Sequence, residues 1–313
     1  MEERISVIMS TYNEQEDWLR KSIESILNQT YTNLEVIIVI DNPQNEVLTK
    51  VIEELSWRDS RIQVLKNPQN MGLVRSLNRA LQQATGTLVA RMDADDISYP
   101  QRLEQEYRFM REQDIDFVMG TVDYIDEDGN VDTNTFEKQY IGKSFNRILR
   151  IGNISSHPTW LLKREIYQKL GGYRDIDGCE DFEFLLRAVQ HGYRCGRMSQ
   201  HILCYRMRSS GISRSKAMEQ FLRMDYWRNL YRKDIQLDTR EPTECDTLIK
   251  QISPRKYELF QKAMEGLWEG KKLAARRCYI RGAGCILKGM FRSRLYSRYV
   301  WDNIKWLAAV RIL

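Results

Sequence analysis

Through the first hundred residues, short apolar runs alternate with segments whose apolar residues recur at helical spacing. Residues 4–9, with Ile5, Val7, Ile8 and Met9, predict a strand that closes in the polar turn Ser10-Thr-Tyr-Asn-Glu14. Leu19, Ile23, Ile26 and Leu27 then share one face of a helix. Residues 34–40 are apolar almost throughout, as expected of a strand covered on both faces, and the run stops at Asp41-Asn42-Pro43. A second helix is predicted over 46–57 and a short strand over 62–65. The turn Asn70-Met-Gly72 opens a helix through Leu73, Leu77 and Leu81. A strand over 87–92 follows and ends in Asp93, Asp95 and Asp96.

Such alternation predicts an α/β sheet of parallel strands joined by right-handed crossovers. Ligands in these sheets sit outside the carboxyl ends of the strands, where Thr11–Glu14, Asp41 and Asp93–Asp95 fall. The acidic turn has two readings. Crowded carboxylates suit a hard divalent cation, Mg²⁺ or Mn²⁺, which takes oxygen ligands and shares them with substrate phosphates. Alternatively, the turn simply joins strand to helix, with Asp96 or Ser98 as the cap and Pro100 in the first turn.

The following hundred residues are less regular. They predict a strand over 116–122, a tight turn over 126–130, a short helix over 143–151 and a polar loop, 153–160, that enters an apolar strand. Gly171-Gly-Tyr-Arg-Asp precedes a second acidic site, Glu180-Asp181, which begins a helix over 182–191, and residues 204–213 close the unit. From Ser215 the pattern is mostly helical. Lys262–Arg281 alternates apolar and basic positions, and Val300, Ile304, Leu307 and Val310 share a face of the last helix, flanked by Trp301 and Trp306.

Composition narrows the classes. At 313 residues with 42% apolar and 29% charged positions, the chain fits one large domain plus an extension. No apolar run reaches the roughly 18–20 residues that span a bilayer. The start, Met-Glu-Glu-Arg, enters a strand without a secretory pattern. Six cysteines without a C-x-x-C pair argue against zinc and for a reducing, cytoplasmic compartment. Charge is uneven: residues 254–313 carry fourteen Lys/Arg against four Asp/Glu, so the net +5 of the whole chain leaves residues 1–253 net negative. This basic, aromatic tail reads either as an interfacial helix on an anionic membrane surface or as a bundle packed on the main domain or on a second copy of the chain. No nucleic-acid motif accompanies the charge, so nucleic acid is not an expected partner.

Together, the motifs Ile5–Glu14, Ser22–Thr30, Asn70-Met-Gly72, Met92-Asp-Ala-Asp-Asp96 and Glu180-Asp181 resemble glycosyltransferase family 2. The resemblance covers about residues 4–215 of the sequence. It implies the GT-A fold, a Rossmann-like nucleotide-sugar-binding sheet flanked by helices, here followed by a mostly helical basic extension. The expected division is a catalytic domain over 1–214 (nucleotide-binding half 1–98, acceptor half 99–214) and a helical region over 215–313. The implied activity is metal-dependent, inverting hexosyl transfer from a nucleotide-sugar, UDP-linked, to a glycan or lipid-linked acceptor. The Val39-Ile-Asp-Asn-Pro variant and the arginine-rich tail look most like the branch that builds bacterial capsule, exopolysaccharide and lipopolysaccharide, at the inner face of the cytoplasmic membrane.

Carried over by position, the resemblance implies that Thr11, Tyr12 and Glu14 line the nucleotide pocket, with Tyr12 stacking near the base. Asp41 accepts from a uracil-type ring, Arg75 holds base or phosphates, and Ala94 lies beside the nucleotide. Asp93 contacts the ribose side and joins Asp95 as a ligand of Mn²⁺ or Mg²⁺. Asp181 is the general base, and Asp96, His157 and Glu180 approach donor sugar or acceptor. Each has a plainer reading: Tyr12 as a core aromatic, Asp41 as a turn residue, Arg75 as solvated helix surface, His157 as a structural histidine, Glu180-Asp181 as helix-start charge. The family often ends this region with Tyr-Arg-x-His; here the run is Tyr205-Arg-Met-Arg208. Arginine cannot ligate a cation but pairs bidentately with phosphate, so Arg208 is expected on the diphosphate. Two other classes share some of these features. A sugar nucleotidylyltransferase would carry a glycine-rich phosphate loop where Ser10–Glu14 stands, and a non-catalytic binding module need not keep Asp95 and Asp181.

Overall fold

The computed structural model describes residues 3–133, 138–208, 216–275 and 278–312. Strands β1 (Ile5–Thr11), β2 (Leu34–Ile40), β3 (Ile62–Lys66) and β4 (Leu88–Asp93) alternate with helices α1 (Glu16–Leu27), α2 (Glu46–Arg58) and α3 (Leu73–Gln83). They lie parallel in the order β3-β2-β1-β4. All seven residues of β2 are buried, which explains its near-unbroken apolar run. Leu19, Ile23 and Ile26 of α1 pack in one core cluster with Val7, Met9 and Ile38 of the sheet, and each such side chain contributes about 1.5–3 kcal/mol on burial.

Strands β1–β4 are thus parallel as expected, and beyond β4 the sheet becomes mixed. β9 (Leu161–Lys163) runs antiparallel to both β4 and β6 (Phe117–Ile125). β10 (Cys195–Arg206) lies parallel to β6, and the two-residue β5 (Ile97–Ser98) pairs antiparallel with β10. Two further pairs, β7 (Val131–Asp132) on β6 and β8 (Tyr140–Ile141) on β10, complete the sheet. Because β4 pairs with β9, the two expected halves of the domain share one continuous sheet. The acidic turn therefore joins strand to strand. Asp96 accepts from the Arg206 N–H and Ser98 donates to Tyr99 O, so neither caps α4 (Arg102–Gln113). Gln101 holds the cap position of α4, which leaves Pro100 outside its first turn.

Helices α5 (Lys143–Leu149), α6 (Arg164–Leu170) and α7 (Glu180–Gln190) flank the second half. The chain divides into two compact units: Met1–Asn146, Ile154–Ile176 and Glu180–Gly211 form the first, and Arg147–Asn153, Asp177–Cys179 and Ile212–Leu313 the second. The expected boundary at 214/215 and the residues 209–213 of the closing segment lie outside the described residues. Residues 147–153 and 177–179, assigned to the first domain by sequence, belong to the second unit.

The second unit contains α8 (Ala217–Arg232), α9 (Pro242–Lys250), α10 (Pro254–Ala275), α11 (Tyr279–Arg292) and α12 (Arg294–Ile312). Phe260, Met264 and Leu267 of α10 pack with Met218 of α8 and with Tyr296 and Val300 of α12. The helix expected over 262–281 is two helices, with residues 276–277 between them outside the described residues. The apolar face expected on α12 is divided. Val300 and Val310 are buried, whereas Ile304 and Leu307 are about half exposed. Asp302 on the same helix is tied to Arg228 at 2.9 Å.

Candidate active site

Three adjacent parallel strands deliver the acidic loops to one edge of the sheet. In register, Thr11 of β1 faces Ile40 of β2, and Ser10 faces Asp93 of β4. Asp41 and Asp93 thus flank the end of β1, separated by two strand spacings, about 10 Å.

The turn after β1 is closed by Glu14, whose Oε2 accepts from the Thr11 hydroxyl (2.6 Å) and the Tyr12 N–H (2.8 Å). Tyr12 is 44% exposed, so it is no core aromatic and its ring is available to a ligand. Asp41 is buried and accepts from Asn67 Nδ2 (2.7 Å), Met71 N–H (2.7 Å) and Gly72 N–H (2.9 Å). Its carboxylate therefore anchors the loop that opens α3. Two of those bonds fall on Oδ1 and one on Oδ2, which leaves Oδ2 with acceptor capacity for a ring N–H. Gly72 has φ 86° and ψ 160°, a conformation close to glycine-only, and this presents its N–H to Asp41. Arg75, one turn into α3, is largely exposed and meets Asp175 at 3.5 Å.

At the end of β4, three arginines surround three aspartates. Asp93 pairs with the buried Arg91, two residues back on the same strand. Asp95 Oδ2 is 2.8 Å from Arg208 Nε. Arg206 donates its backbone N–H to Asp96 (2.8 Å) and its Nε to the Asp95 carbonyl (2.8 Å), while its guanidinium lies 4.7 Å from the Trp18 ring centroid. Ala94, between the acids, is buried, and Ser22 of α1 fixes the turn by donating to Asp93 O at 2.7 Å. Burial and the neighbouring Asp93 push Asp95 up to about 6, against the pull of Arg208. Burial drives Asp96 well above the usual carboxylate range, and its Oδ2 is buried without a hydrogen-bond partner.

Asp181 sits at the start of α7. Burial raises it to about 6, while the Phe182 N–H and the field of Arg91 oppose the shift, and Asp93 adds to it. The same Arg91 bears on Asp95 and Asp96, so the second acidic motif shares the electrostatic environment of the first. Glu180, its neighbour, is buried. His157 is placed differently from the sugar contact expected of it. Its Nε2 is 2.8 Å from the Tyr173 hydroxyl, inside a cluster of Trp160, Tyr167, Tyr173 and Phe184. Burial, followed by Arg91, lowers it well below the usual histidine range, so the ring is neutral. This is the placement of a structural histidine. A separate cleft lined by Leu88, Tyr107, Met110, Ile115 and Lys163 lies at the opposite, amino-terminal end of β4. The site is assigned to the carboxyl ends of the strands, because the acidic loops gather there.

Sequence reading passed over Arg91 and Arg206. A charge inside the apolar run Leu88–Met92, directly before three acids, was the available signal for Arg91.

The carboxylates fit a hard cation in one particular manner. Asp95 and Asp93 offer oxygen donors, yet among the described residues no three His, Cys, Asp or Glu side chains gather to enclose a metal. An ion held there would take its remaining ligands from phosphate and water, the usual mode for Mg²⁺.

Comparison with known proteins agrees with this geometry. Residues 6–171 match the family model described as glycosyl transferase family 2. An uncharacterised glycosyltransferase of Methanocaldococcus jannaschii is 34% identical over 231 residues, 72% of this chain and 80% of its own length. The O-antigen biosynthesis glycosyltransferase WbnJ of Escherichia coli is 30% identical over 214 residues, 67% of this chain and 82% of that protein. The fold is similar to that of S. aureus TarS, crystallised in complex with UDP-GlcNAc, with a TM-score of 0.60 at 17% identity over 93% of this chain and 92% of that one. With a family match over more than half its length, the chain belongs to glycosyl transferase family 2.

Proposed function

We propose that the protein transfers a hexosyl unit, with inversion, from a UDP-sugar to a hydroxyl of a growing glycan or lipid-linked acceptor in bacterial surface polysaccharide synthesis. The observation that carries this reading is the grouping of Thr11–Glu14, Asp41 and Asp93–Asp96 on adjacent strand ends, within the same field as Asp181. The E. coli relatives support the acceptor class: one is an O-antigen biosynthesis glycosyltransferase, and another, 35% identical over 127 residues, is named for glucosyl transfer onto a GlcNAc-diphosphoundecaprenol. The second match spans 41% of this chain and 49% of that protein.

Two obstacles define the mechanism: charge grows on the departing diphosphate, and the acceptor hydroxyl is a weak nucleophile. A divalent cation at Asp93 and Asp95, when bound, supplies Lewis-acid stabilisation of the diphosphate. Arg208, already beside Asp95, adds a guanidinium whose planar fork matches phosphate oxygens. The exposed ring of Tyr12 and the free capacity of Asp41 receive the base. Asp181, ionised above about pH 6, takes the proton of the attacking hydroxyl, a role that typically contributes about 10²–10⁴-fold. Attack opposite the leaving group with a single base gives inversion.

The test is a panel of UDP-, GDP- and TDP-sugars with Mn²⁺, scored by thermal shift and donor hydrolysis, followed by Asp181→Asn. That variant should keep donor binding and lose transfer by at least about 10²-fold. Near-normal turnover would remove Asp181 from the role of base, and failure of every nucleotide-sugar to bind would overturn the reading as a whole.

A further inference from the structure

The sequence pattern offers the last helix as one membrane-facing element, but packing of the helical unit directs attention to the helix before it. On α11, Ile280, Gly284, Leu287 and Phe291 fall within about a 60° arc at the 100° per residue of an α-helix. Ile280 is 90% exposed, Leu287 53% and Phe291 92%. Arg281, Lys288 and Arg292 stand along one flank of that stripe, and all three are exposed.

The opposite face of α11 is already occupied. A Cβ added to Gly270 of α10 would come 2.7 Å from Gly282 O, and one added to Gly289 of α11 would come 3.2 Å from Ala263 O. The two helices thus approach backbone to backbone through their glycines, fixing the rotation of α11 and turning its large apolar residues outward. Charge selects the occupant. Between Glu269 and Asp302 the sequence has nine Lys/Arg and no Asp/Glu. Exposed aliphatic and aromatic side chains beside an uninterrupted basic flank match the acyl–headgroup boundary of an anionic bilayer.

We propose that α11 is the membrane-docking face of this protein, with Ile280, Leu287 and Phe291 entering the headgroup boundary and Arg281, Lys288 and Arg292 pairing with anionic lipid. This deepens the proposed function by naming the surface that brings the enzyme to a lipid-linked acceptor, and vesicle binding tests it without any donor or turnover.

The full chain is sedimented with sucrose-loaded vesicles of phosphatidylcholine alone or with about one-third phosphatidylglycerol. Binding to the anionic vesicles should be at least about tenfold stronger and should weaken in high salt, as expected for several basic residues near a charged surface. The double variant Ile280→Ser/Phe291→Ser should lose at least about tenfold in binding, with its helical circular dichroism and thermal midpoint unchanged. Ile304→Ser/Leu307→Ser on α12 should bind as the parent does. Equal binding by the α11 variant, loss confined to the α12 variant, or no preference for anionic vesicles would overturn the proposal. So would a concentration-dependent dimer in sedimentation velocity that Phe291→Ser dissolves while vesicle binding persists, which would assign the face to a second copy.

Discussion

Replacing Arg208 by glutamine should make the protein bind Mn²⁺ more tightly and its nucleotide-sugar more weakly. Arg208 Nε lies 2.8 Å from Asp95 Oδ2, with Asp95 almost fully buried and the arginine side chain one-third exposed. Two unit charges about 4 Å apart attract by about 4 kcal/mol at an effective dielectric near 20. Exposure of the guanidinium and the entropy of holding a long side chain reduce the net value to about 1 kcal/mol, the upper end for such pairs. A cation that takes Asp95 Oδ2 must displace or share this contact, so Arg208→Gln should lower the Mn²⁺ dissociation constant by about fivefold in the absence of nucleotide. Arg208 also holds Asp95 down against burial, and removing it raises that group further. The comparison therefore belongs at pH 8, where Asp95 is ionised in both proteins. Mn²⁺ binding is followed by electron paramagnetic resonance of the free ion, and donor binding by calorimetry. The donor constant should rise by roughly 10–100-fold, as a charge-assisted phosphate contact is lost. Weaker or unchanged Mn²⁺ binding in the glutamine variant would show that the ion pair does not guard the metal face of Asp95.

Activity should depend on pH through Asp181, raised to about 6. In the proposed mechanism it works as a carboxylate, so kcat/KM should fall as pH drops through 6 and level off above about 7; a flat profile from pH 5 to 7 would contradict the assignment. Gly72→Ala should destabilise the sheet-containing unit by about 1–3 kcal/mol, because φ 86° with ψ 160° is nearly closed to a side chain although nothing lies within 4 Å of the added Cβ. Urea unfolding followed on that unit measures the loss, and an unchanged midpoint would mean that the loop relaxes without cost.

The parallel half of the sheet was legible because its signals are local. A near-continuous apolar run such as Leu34–Ile40 and the helical spacing of Leu19, Ile23 and Ile26 depend on neighbours in sequence, and the acids at the ends of those runs mark the strand ends. The mixed half was not legible in the same way. β5 and β9 have only two and three residues, and they are strands because of partners 43 to 107 positions away. Non-local pairing of that kind leaves little trace in periodicity.

The same division holds for the site and the tail. The sequence by itself determined which carboxylates end the strands, and through its ordered motifs the family; both follow from residue types at fixed places along the chain. Tertiary structure alone decided that Arg91, Arg206 and Arg208 meet Asp93, Asp96 and Asp95, and that His157 is buried on Tyr173. It also decided which of two similarly apolar C-terminal helices turns its stripe outward. Both helices are basic and carry an apolar stripe, and the backbone contacts at Gly270 and Gly289 set the rotation of α11 against its neighbour.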